Sequence, residues 1–424
     1  MINSTSIRAV PAWSLALMAL LFFVVGFVTW ANGPLITFVQ VAFHISDFRA
    51  FLVPAAFYLS YVVFALPASW VASCCGMKRG MVVALLVMAL GIVTFARFIA
   101  WQMFDEGLAG LFILGAGLAL LQVTINPYVS LLGAPERAAQ RIALMGICNK
   151  FAGILAPIAL GTLVMHDIHR VSEQLQQPLL PEKRQDIISS FTHGLFVPYL
   201  GLAGILVLTA LLVACAPLPE PKEATLPVQT ERGRHLSGRV AFGAVALFLY
   251  VGVEVMAGDA IGTYGHGFGL PIDQTKFLTS ATLASMLLGY VAGIVISPKF
   301  ISQERYMVLT CLLGIVLACL AWLNTGYIAV LFIAVLGFSN AMIWPTLFPL
   351  AIRNSGAATA FASSVLIMAI CGGALLPQAW IVLSHLIGFQ AAFSILAVMA
   401  YGVIGSYVWF WCRRDERTIV KNNY

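Results

Sequence analysis

The run RVAFGAVALFLYVGVEVMAGDAIGTY, residues 239–264, decides how this chain is to be read. It is long and apolar enough to cross a bilayer, which takes about 20 residues. Yet it carries two acids, Glu254 and Asp259. The chain has 17 acidic residues, and these two alone fall inside a predicted span. A carboxylate at mid-membrane costs about 3 kcal/mol on insertion scales, so it is seldom kept there without a task. Gly243, Gly252, Gly258 and Gly262 give the same stretch room to bend or unwind. The residues point to carboxylates that couple movement of an ion to movement of a solute.

The rest of the chain agrees with a membrane reading. It is 61% hydrophobic and 9% charged, with a mean hydropathy of +0.95. Soluble domains are about a quarter charged, so a soluble fold is excluded. The first apolar run, Trp13 to Gln40, is too long and too polar at its end for a cleaved signal peptide. The net charge of +6 is assigned to basic loops, not to nucleic acid. None of the 8 cysteines falls in a segment outside the membrane, so disulfides are not expected. Cys74 and Cys75 lack a His or Cys partner at metal spacing. There is no HExxH, no nucleophile–base pairing and no glycine-rich phosphate loop beside a strand, so an enzyme is not expected.

The predicted fold class is all-α membrane protein, with twelve spans at about 12–40, 50–72, 80–103, 108–132, 141–165, 192–214, 240–265, 276–297, 306–324, 328–353, 359–385 and 389–411. An even count puts both termini on one side. Most of the 23 lysines and arginines then fall on that side, leaving Arg49, Arg97, Arg170, Lys183, Arg184 and Lys276 on the other. By the positive-inside rule the termini are cytoplasmic. Residues 216–239, rich in proline and charge, read as a cytoplasmic linker between a bundle at 1–215 and another at 240–424. A polar stretch from His166 to Ser190 reads as a solvated loop, a short surface helix or a cap on the outer mouth. The halves echo each other. WVASCCGMKRGMVV answers ISPKFISQERYMVL, and INPYVSLLGAPERAA answers IWPTLFPLAIRNSGAA, so that Lys78 matches Lys299 and Pro127 matches Pro345. Two six-helix repeats in one orientation are the organisation of the major facilitator superfamily, with its site between the halves.

Polar side chains inside the spans mark the candidate cavity, because lipid leaves their hydrogen bonds unmet. They are Trp30 and Asn32 in the first span, Gln122 and Asn126 in the fourth, Asn149 and Lys150 in the fifth, and Asn340 and Trp344 in the tenth. Gln122 and Asn126 are four apart and share a helix face. Amides mixed with indole faces suit a neutral polyhydroxylated ligand, with hydrogen bonds for hydroxyls and stacking for a sugar ring. The plainer alternative for each amide is glue between helices, worth about 1 kcal/mol. Trp13, Trp101 and Trp409 near span ends read as interfacial anchors.

The charged trio is Lys150, Glu254 and Asp259. Glu254 lies about 22 Å along its helix, near mid-bilayer, and Lys150 nearer the cytoplasmic side. Glu254 and Asp259 are about 140° apart on an ideal helix, so both face one way only if Gly258 breaks it. One reading is a structural ion pair between Lys150 and one acid. The functional one has Glu254 taking a proton from outside and losing it inside, with Asp259 as outer relay or as a hydrated residue at the mouth.

Several stretches carry a family resemblance: FFVVGFVTWANGPLITFVQ (22–40), AFYLSYVVFALPASW (56–70), LLQVTINPYVSLLG (120–133), FLYVGVEV (248–255), WPTLFPLAI (344–352) and SSVLIMAICGGALLP (363–377). Through them the chain resembles the fucose/glucose–galactose proton symporter family of the major facilitator superfamily. MGICNKFAGILAPIALG (145–161), FVPYLGLAGI (196–205) and VGVEVMAGD (251–259) are similar to its N-acetylglucosamine permease branch. The resemblance implies a sugar substrate, with Asn32, Gln122, Asn126 and Asn149 in the cavity. It does not carry over the coupling acids. Fucose members have an Asp where Gly33 stands, a Glu where Gln122 stands, and a Gln where Glu254 stands.

The expectation is therefore a bacterial-type inner-membrane sugar carrier working by alternating access, monomeric and bound by lipid. Substrate binding is assigned to Trp30, Asn32, Gln122, Asn126, Asn149, Glu254, Asn340 and Trp344, proton coupling to Glu254 and Asp259, and charge pairing to Lys150. No cofactor and no metal are expected; the coupling ion is a proton, with sodium or no ion as the alternative. A drug/proton antiporter is the second alternative, for which an apolar aromatic cavity is expected in place of amides.

Overall fold

The computed structural model describes residues 12–132, 138–218, 237–297, 299–353, 355 and 359–422. Among them there is no strand, and twelve helical segments are long and apolar enough to cross a membrane. They are Trp13–Phe43, Asp47–Cys75, Met77–Ala100, Phe104–Val129, Arg141–Leu163, Pro181–Cys215, Gly238–Gly258, Ile272–Ile296, Gln303–Leu323, Gly326–Ile352, Phe361–Ile387 and Phe389–Arg414. Twelve passages bring Ala12 and Asn422 to one face, called here the terminal face; the other is the far face.

In lipid, helices associate by close packing, and glycine permits it. The third and fourth spans meet at Gly91 and Gly110: a Cβ on Gly91 would lie 2.7 Å from the Gly110 carbonyl oxygen. A Cβ on Gly372 would strike the Phe248 carbonyl, which holds the eleventh span on the seventh. Large apolar side chains such as Leu90, Val197, Leu208 and Leu331 point outward and are exposed, as a lipid-facing surface requires. At span ends, Arg97 stacks 4.3 Å from the Trp101 ring and Arg413 4.2 Å from Trp409.

Three spans break beside candidate site residues. The first breaks at Ala31, between Ala12–Trp30 and Asn32–Phe43, ahead of Gly33–Pro34. The seventh ends at Gly258 and resumes as the short helix Ile261–His266, leaving Asp259 and Ala260 in the break. It is shorter than the predicted 240–265. The tenth breaks at Ala341–Met342, just before Pro345. Proline cannot donate its backbone N–H, so each Pro loosens the turn before it.

The sixth span corrects its prediction. It starts at Pro181, not near residue 192, and runs as one helix of 35 residues to Cys215. That is about 52 Å at 1.5 Å per residue, longer than the roughly 30 Å hydrocarbon core. Pro181 and Glu182 suit the first turn of a helix, so the charged stretch continues the helix into water. Before it stands a short helix, Ile168–Gln176, anchored by buried Ile168 and Leu175. The seventh span opens at Gly238 under Ser237, whose hydroxyl accepts from the Val240 N–H. Most of the predicted linker lies outside the described residues.

Candidate functional site

At mid-depth the spans surround a cavity of about 130 Å³. The fifth span brings Lys150 to it and the seventh brings Glu254. Lys150 Nζ lies 2.8 Å from Glu254 Oε1, and the two side chains are only 9% and 12% exposed. The ammonium also sits 4.3 Å from the centroid of the Trp30 ring, within cation–π range. Trp30 Nε1 donates to Asn149 Oδ1 at 3.4 Å, and Asn149 Nδ2 donates to the Phe22 carbonyl at 3.3 Å. These contacts need the first and fifth spans nearly backbone to backbone. Gly26 allows it, since a Cβ there would collide with the Asn149 carbonyl. On the opposite wall, Gln122 Nε2 donates to the Tyr61 hydroxyl at 3.1 Å, with Asn126 one turn further on.

Of the residues read from the sequence, Trp30, Gln122, Asn126, Asn149, Lys150, Glu254 and Trp344 line this cavity. Asn32 and Asn340 are not in its lining. Asn340 is 1% exposed and accepts a 2.9 Å bond from the Tyr401 hydroxyl, which ties the tenth span to the twelfth. Asn32, 2% exposed, follows the break in the first span, and its amide nitrogen has no hydrogen-bond partner. The sequence reading missed Thr29, Tyr58, Tyr61, Tyr250 and Tyr290, all in the cavity wall. A signal existed: Tyr250 is one turn before Glu254, and Tyr58 and Tyr61 share a face.

Asp259 is not a hydrated residue at the mouth. It is 2% exposed, and neither carboxylate oxygen meets a hydrogen-bond partner among the described residues. The break after Gly258 turns it into the seam between the seventh and first spans. A Cβ on Gly33 would lie 3.3 Å from Asp259 Oδ1, and one on Gly258 would lie 2.5 Å from Cζ3 of Trp30. The Gly33 N–H is directed at the carboxylate without reaching hydrogen-bonding geometry.

The same seam closes the far face. Ser280 Oγ donates to the Ile154 carbonyl at 2.8 Å, Lys276 Nζ to the Met165 carbonyl at 3.1 Å, and Gln378 Nε2 to the Phe48 carbonyl at 3.2 Å. Beyond it lies a second cavity of about 610 Å³, walled by Thr37, Asp47, Thr263, His266 and Ser384 among others. Ser172 and Leu175 of the short helix also line it, so that part of the 166–190 stretch stands at the mouth. Asp47 accepts from Gln40 Nε2 at 2.7 Å. Burial pushes the His266 imidazole below its ordinary range, with the Asp47 charge opposing. Two cavities thus lie on either side of a packed septum. The central one extends towards the terminal face as far as Ile142, in the first turn of the fifth span.

The family model described as Major Facilitator Superfamily matches residues 18–377. A glucose/galactose transporter of Brucella abortus biovar 1 is 28% identical over 96% of this chain and 95% of its own. The L-fucose-proton symporter of Escherichia coli is 24% identical over 92% of this chain and 91% of its own. Among solved structures, that of the transporter FucP in its outward conformation matches with a TM-score of 0.78 at 23% identity, covering 94% of this chain and 98% of that one.

Proposed function

The chain belongs to the major facilitator superfamily, and from that premise we propose that it takes up a monosaccharide or amino sugar by proton symport across a bacterial-type inner membrane. The observation that carries this reading is the Lys150–Glu254 pair set in a cavity of amides and aromatic rings. Gln122, Asn126 and Asn149 present donors and acceptors for hydroxyl groups, and Trp30 and Trp344 present flat faces for a sugar ring. Phe22, Val25, Ile125 and Ile370 also line the cavity, but an apolar drug offers the three amides and the ion pair no hydrogen bonds, so the sugar reading is preferred to the antiporter. The sugar names of the relatives support the same substrate class. N-Acetylglucosamine is the first choice, on the resemblance of residues 145–161, 196–205 and 251–259, ahead of glucose, galactose, mannose and fucose.

In this mechanism Lys150 holds Glu254 while the cavity is empty. Sugar hydroxyls compete for both partners, and a proton on the helix-seven acids removes the cost of carrying bare charge through the occluded state. The halves then rock, and sugar and proton leave on the terminal face, which the Lys and Arg bias assigns to the cytoplasm.

The test is a thermal-shift panel of those five sugars on purified protein. A cognate ligand at 100 times its Kd stabilises by about 2.7 kcal/mol. Stabilisation by one or two sugars is expected; no shift with any sugar overturns the reading. Uptake into proteoliposomes under an imposed proton or sodium gradient then identifies the ion.

A further inference from the structure

The seventh span brings two acids to the septum, and the structure treats them differently. Glu254 has a counter-charge at 2.8 Å and a wall of the central cavity beside it. Asp259 is 2% exposed, and among the described residues neither oxygen has a hydrogen-bond partner. A buried carboxylate without donors is among the costliest groups a protein can hold, and taking on a proton is the usual escape.

The position of Asp259 shows when that cost arises. The break after Gly258 lays it against Gly33 of the first span, in the seam that joins the two halves on the far face. On one side of the seam, Trp30 packs on Gly258 and lines the central cavity. On the other, Thr263, four residues on, and Thr37 line the far-face cavity. Separation of the halves on the far face would expose Asp259 to the water of that cavity; their closure dries it. The ionisable groups facing it are Tyr58 from the second span, Lys150 from the fifth and Glu254 from its own helix. Lys150 is engaged by Glu254, and among the described residues no further cation faces Asp259.

We propose that Asp259 is a proton-binding site of the far-face gate, protonated when the halves close there and released when they part, and distinct from the sugar-facing Lys150–Glu254 pair. This deepens the symport reading and rests on the alternating access it assumes. Closure on the far face takes up one proton, so it is favoured at low pH and lost as pH rises.

The test needs no sugar, so its failure is separate from failure of the substrate reading. A reporter cysteine, Ser280→Cys, is placed in the far-face seam, where the serine is 8% exposed with the halves closed, in the full chain in lipid nanodiscs. Its alkylation by an impermeant maleimide is followed against pH, net of the parent's own cysteines. Thiolate formation raises the rate with pH in every variant, so the measure is the ratio to the same reporter in Asp259→Asn. That ratio is expected to climb with pH, by up to about tenfold per unit for one linked proton, and to climb likewise in the double variant Lys150→Met, Glu254→Gln, which removes the pair without freeing a cation for Asp259. A ratio flat with pH overturns the proposal. So does a parent whose labelling follows sodium at fixed pH, which would make the bound ion sodium. Thr279→Cys, at a threonine 3% exposed in the same seam, serves as a second reporter. Should Asp259→Asn not fold, the infrared carboxyl band of the same double variant, which keeps Asp259 and lacks both members of the pair, reads the proton directly. Its presence at neutral pH is expected, and its absence overturns the assignment.

Discussion

Lys150 and Glu254 meet 2.8 Å apart across the boundary between the two halves of the molecule. One sits in the fifth span and the other in the seventh, so the contact joins elements that alternating access requires to move. Removing one partner of a buried pair costs about 3–5 kcal/mol. Here both groups border a cavity that admits water, so roughly 1–3 kcal/mol is expected for Lys150→Met, after discounting for screening. Glu254→Gln in the same background should restore most of the loss. Unfolding midpoints around the four-variant cycle measure the coupling; strictly additive effects would show that the two groups do not stabilise each other.

Glu254→Gln alone keeps the shape of the side chain and removes its charge. Lys150 then has no anion, and the cavity no longer links its state to a proton. Uphill accumulation of sugar in proteoliposomes should be lost, while exchange of labelled for unlabelled sugar persists at a reduced rate. Full uphill transport in this variant would remove Glu254 from the coupling scheme.

The membrane fold was legible because each span is a long apolar run, and lipid leaves the backbone no choice but a helix. The central site was largely legible for the same reason: Gln122, Asn149, Lys150 and Glu254 are polar where polarity is costly. Three features were not. The five missed wall residues include four tyrosines, and a tyrosine is at home in a packed core, so composition does not separate the two roles. Asn32 and Asn340 look like cavity residues in one dimension, yet each is buried outside the cavity lining, because orientation at a helix break follows no simple period. A hydrated Asp259 at the mouth is the expectation for an unbroken seventh helix. The break after Gly258 invalidates it.

Gly26 sets the distance between the first and fifth spans, and with it the bond from Trp30 to Asn149. Gly26→Ala places a methyl group against the Asn149 backbone, which cannot swing aside as a side chain would. The expected result is a lowered unfolding midpoint and loss of the sugar-induced thermal shift. Gly201→Ala is the control, since a Cβ there meets no described atom within 4 Å; it should leave stability unchanged or raise it by up to about 1 kcal/mol through helix propensity. Equal effects of the two substitutions would show that close approach at Gly26 is dispensable.

His266 lies past the end of the seventh span in the far-face cavity, where burial holds its imidazole below the ordinary value of 6.5 and Asp47 pulls the other way. Because the folded value is the lower one, the unfolded chain binds the extra proton first as pH falls. Stability is therefore intact above the ordinary value and is lost as pH drops from there towards the folded value. Thermal unfolding of the parent should weaken over that interval, and His266→Gln should lose that part of the dependence. Asp47→Asn removes the opposing charge and should widen the interval towards lower pH. If parent and His266→Gln lose stability in parallel on acidification, His266 is not the titrating group.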